Sequence, residues 1–133
     1  TIRQCRIGIL FQDLKIFPEL TALENIELKN RLQAYKSEAE IDDMLRRLEI
    51  SDKSHQPCGK LSWGQQQRVA IIRALCQPFD FLLLDEPISH IDDRMARIVA
   101  ELIAEEVASR QAAVVVSSIG KELPLTYDNI LNL

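Results

Sequence analysis

The chain has little that would tie it to a disulfide framework, a nucleic acid or a bilayer. Its three cysteines, Cys5, Cys58 and Cys76, form an odd, widely spaced set without Cys/His ligand spacing. That excludes a disulfide scaffold and a zinc site, and it suits ordinary thiols in a reducing compartment. There is no basic block: 16 Lys and Arg against 20 Asp and Glu leave a net charge of -4, which offers no footprint for nucleic acid or an anionic surface. No apolar run approaches the roughly 18 residues that cross a bilayer, and the N-terminus has no signal-peptide pattern, so a soluble chain is expected. Internal repeats and low-complexity segments are absent as well. What is present is 47% hydrophobic residues over 133 positions, enough for one domain with a real core. The chain starts at Thr1 without a methionine and runs quickly into strand-like Cys5-Arg6-Ile7-Gly8-Ile9-Leu10-Phe11, as a piece of a longer protein would.

Patterning predicts an alternation of strands and helices. Cys5 to Phe11 reads as a first strand, followed by an irregular stretch containing Pro18. Thr21-x-x-Glu24 and Ser37-x-x-Glu40 have capping-box spacing and open two helices, the first running to about Ala34 and the second carrying Ile41, Met44, Leu45 and Leu48 at helical period. Ser51 to Lys60 reads as a loop. Ser62 and Gln65 repeat the capping-box spacing, so a third helix starts at Ser62 and stops before Pro78. Asp80 to Leu84 is expected as a central buried strand, Asp92 to Ser109 as a long amphipathic helix, Ala112 to Val116 as a further strand and Tyr127 to Leu133 as a last one. Strand, helix and strand in that order imply a parallel crossover.

Two constellations stand out. Phe81-Leu82-Leu83-Leu84-Asp85-Glu86-Pro87 delivers adjacent carboxylates at the end of an apolar strand, where α/β sheets place ligands. Neighbouring strand residues point to opposite sides, so one acid can hold a magnesium ion while the other accepts a proton from water. Taken alone, the pair also fits a solvated strand end. The second constellation, Ser62-Trp63-Gly64-Gln65, opens a helix. Free N–H groups and a partial positive charge there suit a phosphate, although a plain N-cap explains the same residues. His55 and His90 have no partner at metal-ligand spacing.

Together these segments resemble the ATP-binding subunit or domain of ABC transporters. Leu61-Ser62-Trp63-Gly64-Gln65-Gln66-Gln67-Arg68 is similar to the signature motif, Phe81 to Pro87 to the Walker B strand, Ser89-His90-Ile91-Asp92 to the D-loop, and Phe11-Gln12-Asp13 with Phe17 to Ile26 to the Q-loop and the segment after it. The resemblance implies an α/β fold, a partial P-loop NTPase-type parallel sheet in 1–18 and 77–133 with a helical subdomain over about 19–76. It implies that Asp85 helps to hold Mg2+, that Glu86 is the general base, and that Gln12 contacts the metal and water. Ser62, Trp63, Gly64 and Gln65 would meet the phosphates of ATP held by a second ATP-binding subunit, with Asp92 at that interface. A membrane-spanning subunit would be the other partner, and the chain would lie in the cytoplasm against the inner face of the membrane, with no nucleic-acid partner. Phe11, Phe17 and Leu20 could be core or could meet that membrane subunit. Positioning and charge stabilisation are what phosphoryl transfer requires.

Three features depart from the family pattern. No Gly-x-x-x-x-Gly-Lys-[Ser/Thr] occurs; Gly59-Lys60 and Gly120-Lys121 lack the upstream glycine and the following hydroxyl. In the family that loop lies upstream of the Q-loop, so ATP and Mg2+ are expected only with a longer protein. Ser118 stands where a histidine usually contacts the γ-phosphate, and a hydroxyl cannot become a cation. Trp63 replaces a glycine, and its indole either crowds the phosphate approach or packs outward. Two rival readings remain: a noncatalytic degenerate module, and a DNA-repair or chromosome ATPase. The second is opposed by the spacing, since about 50 residues between Gln12 and Ser62 leave no room for a long coiled coil.

Overall fold

A computed structural model describes residues 6–33, 35–119 and 121–125. Strands β1 (Ile7–Leu10), β2 (Phe81–Asp85) and β3 (Ala113–Ser117) form a sheet in the order β1-β2-β3, with both pairings parallel. The register sets Leu10 beside Leu84, Leu84 beside Val116 and Asp85 beside Ser117. All three strands therefore reach their carboxyl ends along one rim. The α/β architecture and the parallel crossover are those expected from the element order; the strand expected over 127–133, like Cys5 and Ala34, lies outside the described residues.

The helices start where local chemistry satisfies their free N–H groups. α1 (Ala22–Gln33) follows Thr21, whose hydroxyl takes the Glu24 N–H at 3.0 Å while the Glu24 carboxylate takes the Thr21 N–H at 2.9 Å. α2 (Glu38–Arg47) is capped in the same reciprocal way by Ser37 and Glu40, and α3 (Trp63–Leu75) by Ser62 and Gln65. α4 (Asp93–Ser109) has Asp92 as N-cap, its carboxylate taking the Met95 N–H at 2.8 Å. The loop expected over 51–60 contains two 3-10 turns, Ser51–Lys53 and Cys58–Lys60.

One face of the sheet is closed. Leu10, Leu82 and Leu84 join buried residues of the helices, among them Ile72, Leu75, Val99 and Ile103, in one core cluster, and each such side chain contributes about 1.5–3 kcal/mol when fully buried. The other face is open: Ile7, Ile9, Phe81 and Val115 are 57%, 43%, 43% and 55% exposed. This corrects the reading of residues 80–84 as a buried strand: only alternate residues, Leu82 and Leu84, are buried. Alternate side chains point to opposite faces, and among the described residues only one face has a layer of helices packed on it.

α1 packs along α3, and α3 against β1. Buried Asn25 fastens the preceding loop by accepting the Phe17 N–H at 2.9 Å and donating to the Phe17 and Thr21 carbonyls at 3.0 Å. Across to α4, Lys36 meets Glu106 at 2.8 Å, and Arg94 grips Glu49 through two bonds of 2.7 and 2.8 Å. Arg110 lies over the rings of Tyr35 and Phe79 at 4.6 and 4.1 Å and donates to the Leu75 and Gln77 carbonyls, closing the C-terminal end of α3.

Candidate functional site

The shared rim of the three strands gathers four of the residues singled out in the sequence. Gln12 lies two positions past the end of β1, Asp85 ends β2, Glu86 follows it, and Ser118 follows β3. Asp85 is exposed, and its carboxylate makes no hydrogen bond or ion pair among the described residues. Glu86 is the opposite case. Its backbone is left-handed, with φ 51, a conformation costing on the order of 1–3 kcal/mol for a residue with a side chain. Three contacts hold it: its N–H donates to the Ser117 carbonyl at 2.8 Å, its carboxylate accepts the Ile119 N–H, and its carbonyl accepts the Gln67 side-chain amide at 3.2 Å.

Gln12 is exposed in the turn 12–15. Two further left-handed residues follow it, Leu14 and Lys15, with φ 63 and 52. Arg73 of α3 stabilises this strained pair, donating to the Leu14 carbonyl at 2.6 Å and the Lys15 carbonyl at 2.9 Å. Burial pulls the Arg73 guanidinium down from its ordinary pKa.

The start of α3 meets the turn between β2 and α4. The Trp63 indole is 41% exposed and sits against the His90 ring in an edge contact, with centroids 5.9 Å apart and planes at 68°. A Cβ on Gly64 would fall 2.4 Å from the His90 carbonyl oxygen, so only glycine fits there without displacing backbone. Ser62 and Gln65 spend their side chains on the cap, at 3.1 and 2.9 Å. Gln67, one turn further on, is fully buried and bonds the Ser89 hydroxyl at 2.8 Å, the Glu86 carbonyl at 3.2 Å and the His90 N–H at 3.0 Å. Sequence reasoning passed over Gln67. The available signal was its position three residues after Gly64, on the same face of the helix.

The sites thus form two groups joined by a bridge. Gln12, Asp85, Glu86 and Ser118 share the rim; Ser62, Trp63, Gly64 and Gln65 stand at the helix start; Gln67 and His90 connect them. Asp92, at the far end of the same turn, caps α4. No group of three or more His, Cys, Asp and Glu converges on a metal position among the described residues. A magnesium ion accompanying phosphates needs only one or two carboxylates from the protein, and the unpaired Asp85 fits that demand.

A cavity of about 360 Å³ opens beside the turn that carries Gln12. Its walls include the apolar Ile9, Phe11 and Phe17, and three cations, Lys15, Lys29 and Arg73, face it without a carboxylate in the lining. Asp13, outside the lining, pairs with Lys15 at 3.0 Å.

The family model described as ABC transporter matches residues 1–89. The chain is 34% identical to the lipoprotein-releasing system ATP-binding protein LolD of Desulfotalea psychrophila, over 98% of this chain and 60% of that protein. It is 38% identical to the arginine transport ATP-binding protein ArtM of Bacillus subtilis, over 84% and 48%. Among solved structures it superposes on a dimeric bacterial ABC transporter cassette with a TM-score of 0.70 at 32% identity, covering 85% of this chain and 52% of that one. The same cassette in a post-hydrolysis state bound to ADP and Pi matches at 0.71 and 31%, with the same coverage. The chain therefore spans less than two thirds of the length of these relatives.

Proposed function

The chain belongs to the ABC transporter family, and on that premise we propose that it forms part of an ATP-hydrolysing subunit that works as a dimer and drives transport through a membrane-spanning partner. The observation that carries this reading is the gathering of Gln12, Asp85, Glu86 and Ser118 on one rim of a parallel sheet, joined by Gln67 to the start of α3.

In this reading Asp85 holds Mg2+, which when bound supplies positive charge beside the phosphates. Gln12 orients the attacking water, and the Glu86 carboxylate accepts its proton as the water oxygen bonds to the γ-phosphorus and ADP leaves. Ser62 and Gly64, with the N–H groups of the first turn of α3, receive the γ-phosphate of a nucleotide carried mainly by the second subunit, and Asp92 lies at that interface. Ser118 offers a hydroxyl without a cation, so turnover is slow. The helical subdomain of about 19–76 presents the signature face.

The membrane-spanning partner docks at the cavity beside Gln12, through a cytoplasmic segment that combines apolar side chains with a carboxylate. Charge complementarity supports this: Lys29 has no ion pair among the described residues, and half-buried Arg73 has no acid beside it. No helix among the described residues is long and apolar enough to cross a membrane.

The test is ATP turnover by the full-length protein and its Glu86→Gln variant. Loss of a general base is expected to slow turnover about 10²- to 10⁴-fold and to leave an ATP-bound dimer. Unchanged turnover removes Glu86 as the base, and no turnover in the unaltered protein favours the noncatalytic reading.

A further inference from the structure

We propose that Gln67 is a positioning residue for this reaction: it sets the turn that carries Glu86 relative to the first turns of α3. The inference rests on the hydrolytic reading above. Gln67 is fully buried, and a buried carboxamide persists only where its bonds are made. Its bonds reach both ends of one short turn. At the near end it donates to the carbonyl of Glu86 at 3.2 Å; at the far end it bonds the Ser89 hydroxyl at 2.8 Å and accepts the His90 N–H at 3.0 Å.

The carbonyl contact matters because of the backbone at Glu86. That residue is left-handed at φ 51, an arrangement that persists where surroundings over-determine it. Rotating the peptide that follows Glu86 would take its carbonyl away from Gln67. With the carbonyl fixed from α3 and the N–H fixed by Ser117, the Cα–Cβ direction of Glu86 is set, and its carboxylate lies at the Ile119 N–H. The far end is clamped too. Gly64 packs against the His90 carbonyl with no room for a Cβ, and Trp63 lies against the His90 ring. Ser89 passes the chain of contacts on to the imidazole at 3.0 Å. The start of α3 and the Glu86 turn therefore move as one body, and a displacement of α3 is delivered to the carboxylate of Glu86.

The experiment uses the full-length protein with Gln67→Met, which keeps the volume and deletes the three bonds, together with Ser89→Ala and the double variant. Amide exchange is read without nucleotide, and ATP turnover at saturating and limiting ATP. In Gln67→Met the His90 amide is expected to exchange at least tenfold faster while the amides of Val69 to Leu75 keep their rates. The kcat should fall at least tenfold with KM within twofold, and Ser89→Ala should then cost less than half of what it costs alone, because both act through one contact. Wild-type kcat in Gln67→Met, additive losses, or faster exchange spread over all of α3 overturns the proposal. Should Gln67→Met not fold, Ser89→Ala decides alone: a lowered kcat at constant KM supports the proposal, and wild-type kcat overturns it. Absence of turnover in the unaltered protein counts against the hydrolytic reading, while the His90 amide still reports on Gln67.

Discussion

The two sides of the sheet are made of similar residues and finished differently. On the closed side, Leu10, Leu82 and Leu84 are buried, the Gln67 carboxamide is fully bonded at one end of α3, and the two terminal nitrogens of Arg110 bond carbonyls at the other, leaving its Nε without a partner among the described residues. On the open side, Ile7, Ile9, Phe81 and Val115 stand out, with Asp85 at the rim bearing no partner among the described residues. Parallel sheets are ordinarily covered on both faces; here one face is apolar, open and ends in a carboxylate without a partner among the described residues. The closed side is where the described residues bury one another; on the open side no described helix covers them.

The largest effect that would sharpen this contrast is a cavity on the closed side. Leu82→Ala is expected to lower unfolding free energy by about 2–5 kcal/mol, read by denaturant titration. Gly64→Ala follows, because a Cβ so close to the His90 carbonyl oxygen must move backbone; overpacking of this kind costs about 1–3 kcal/mol, visible as a lower thermal midpoint. Cys76, at the closed end of α3, gives a pH test. Burial pushes its thiol from an ordinary 9.0 up to about 12, so stability is fully present below about pH 9 and falls by on the order of 1 kcal/mol per pH unit above it, since the unfolded chain then releases a proton that the folded one keeps. At pH 8 an alkylating reagent should spare Cys76 until the protein unfolds. The smallest effect belongs to the open side: Val115→Thr should change stability by no more than about 0.5 kcal/mol in the chain as described. A cost of about 2 kcal/mol or more in the full-length protein would break the contrast and show that face to be covered there.

Much of this was legible in the sequence because it is local. The three capping boxes and the Asp92 cap can be read from residues three apart, and the strand runs stood out by length and branching. The rim carboxylates were legible because an acid pair after four apolar residues is unusual. Burial of the strand faces was not, since the run Phe81 to Leu84 looks the same whether one face is covered or two. Gln67 sits in a row of three glutamines, and only its spacing of three from Gly64 sets it apart from the other two. The left-handed backbones at Leu14, Lys15 and Glu86 were hidden because no glycine or asparagine marks them; the tertiary bonds from Arg73 and Gln67 impose them.

The capping boxes differ in one respect. Those of α1 and α2 close with carboxylates, Glu24 and Glu40, whose pKa values are lowered by the N–H groups they accept from Thr21 and Ser37. A carboxyl with a lowered folded pKa stabilises above its unfolded pKa, and that contribution is lost as pH falls through the folded value. α3 closes its box with Gln65, a carboxamide, and has no acid in its first turn. The cap of that helix therefore does not titrate, and no resident negative charge offsets its N-terminal partial charge. As acidification loosens the starts of α1 and α2, the start of α3 keeps both its geometry and its attraction for an anion.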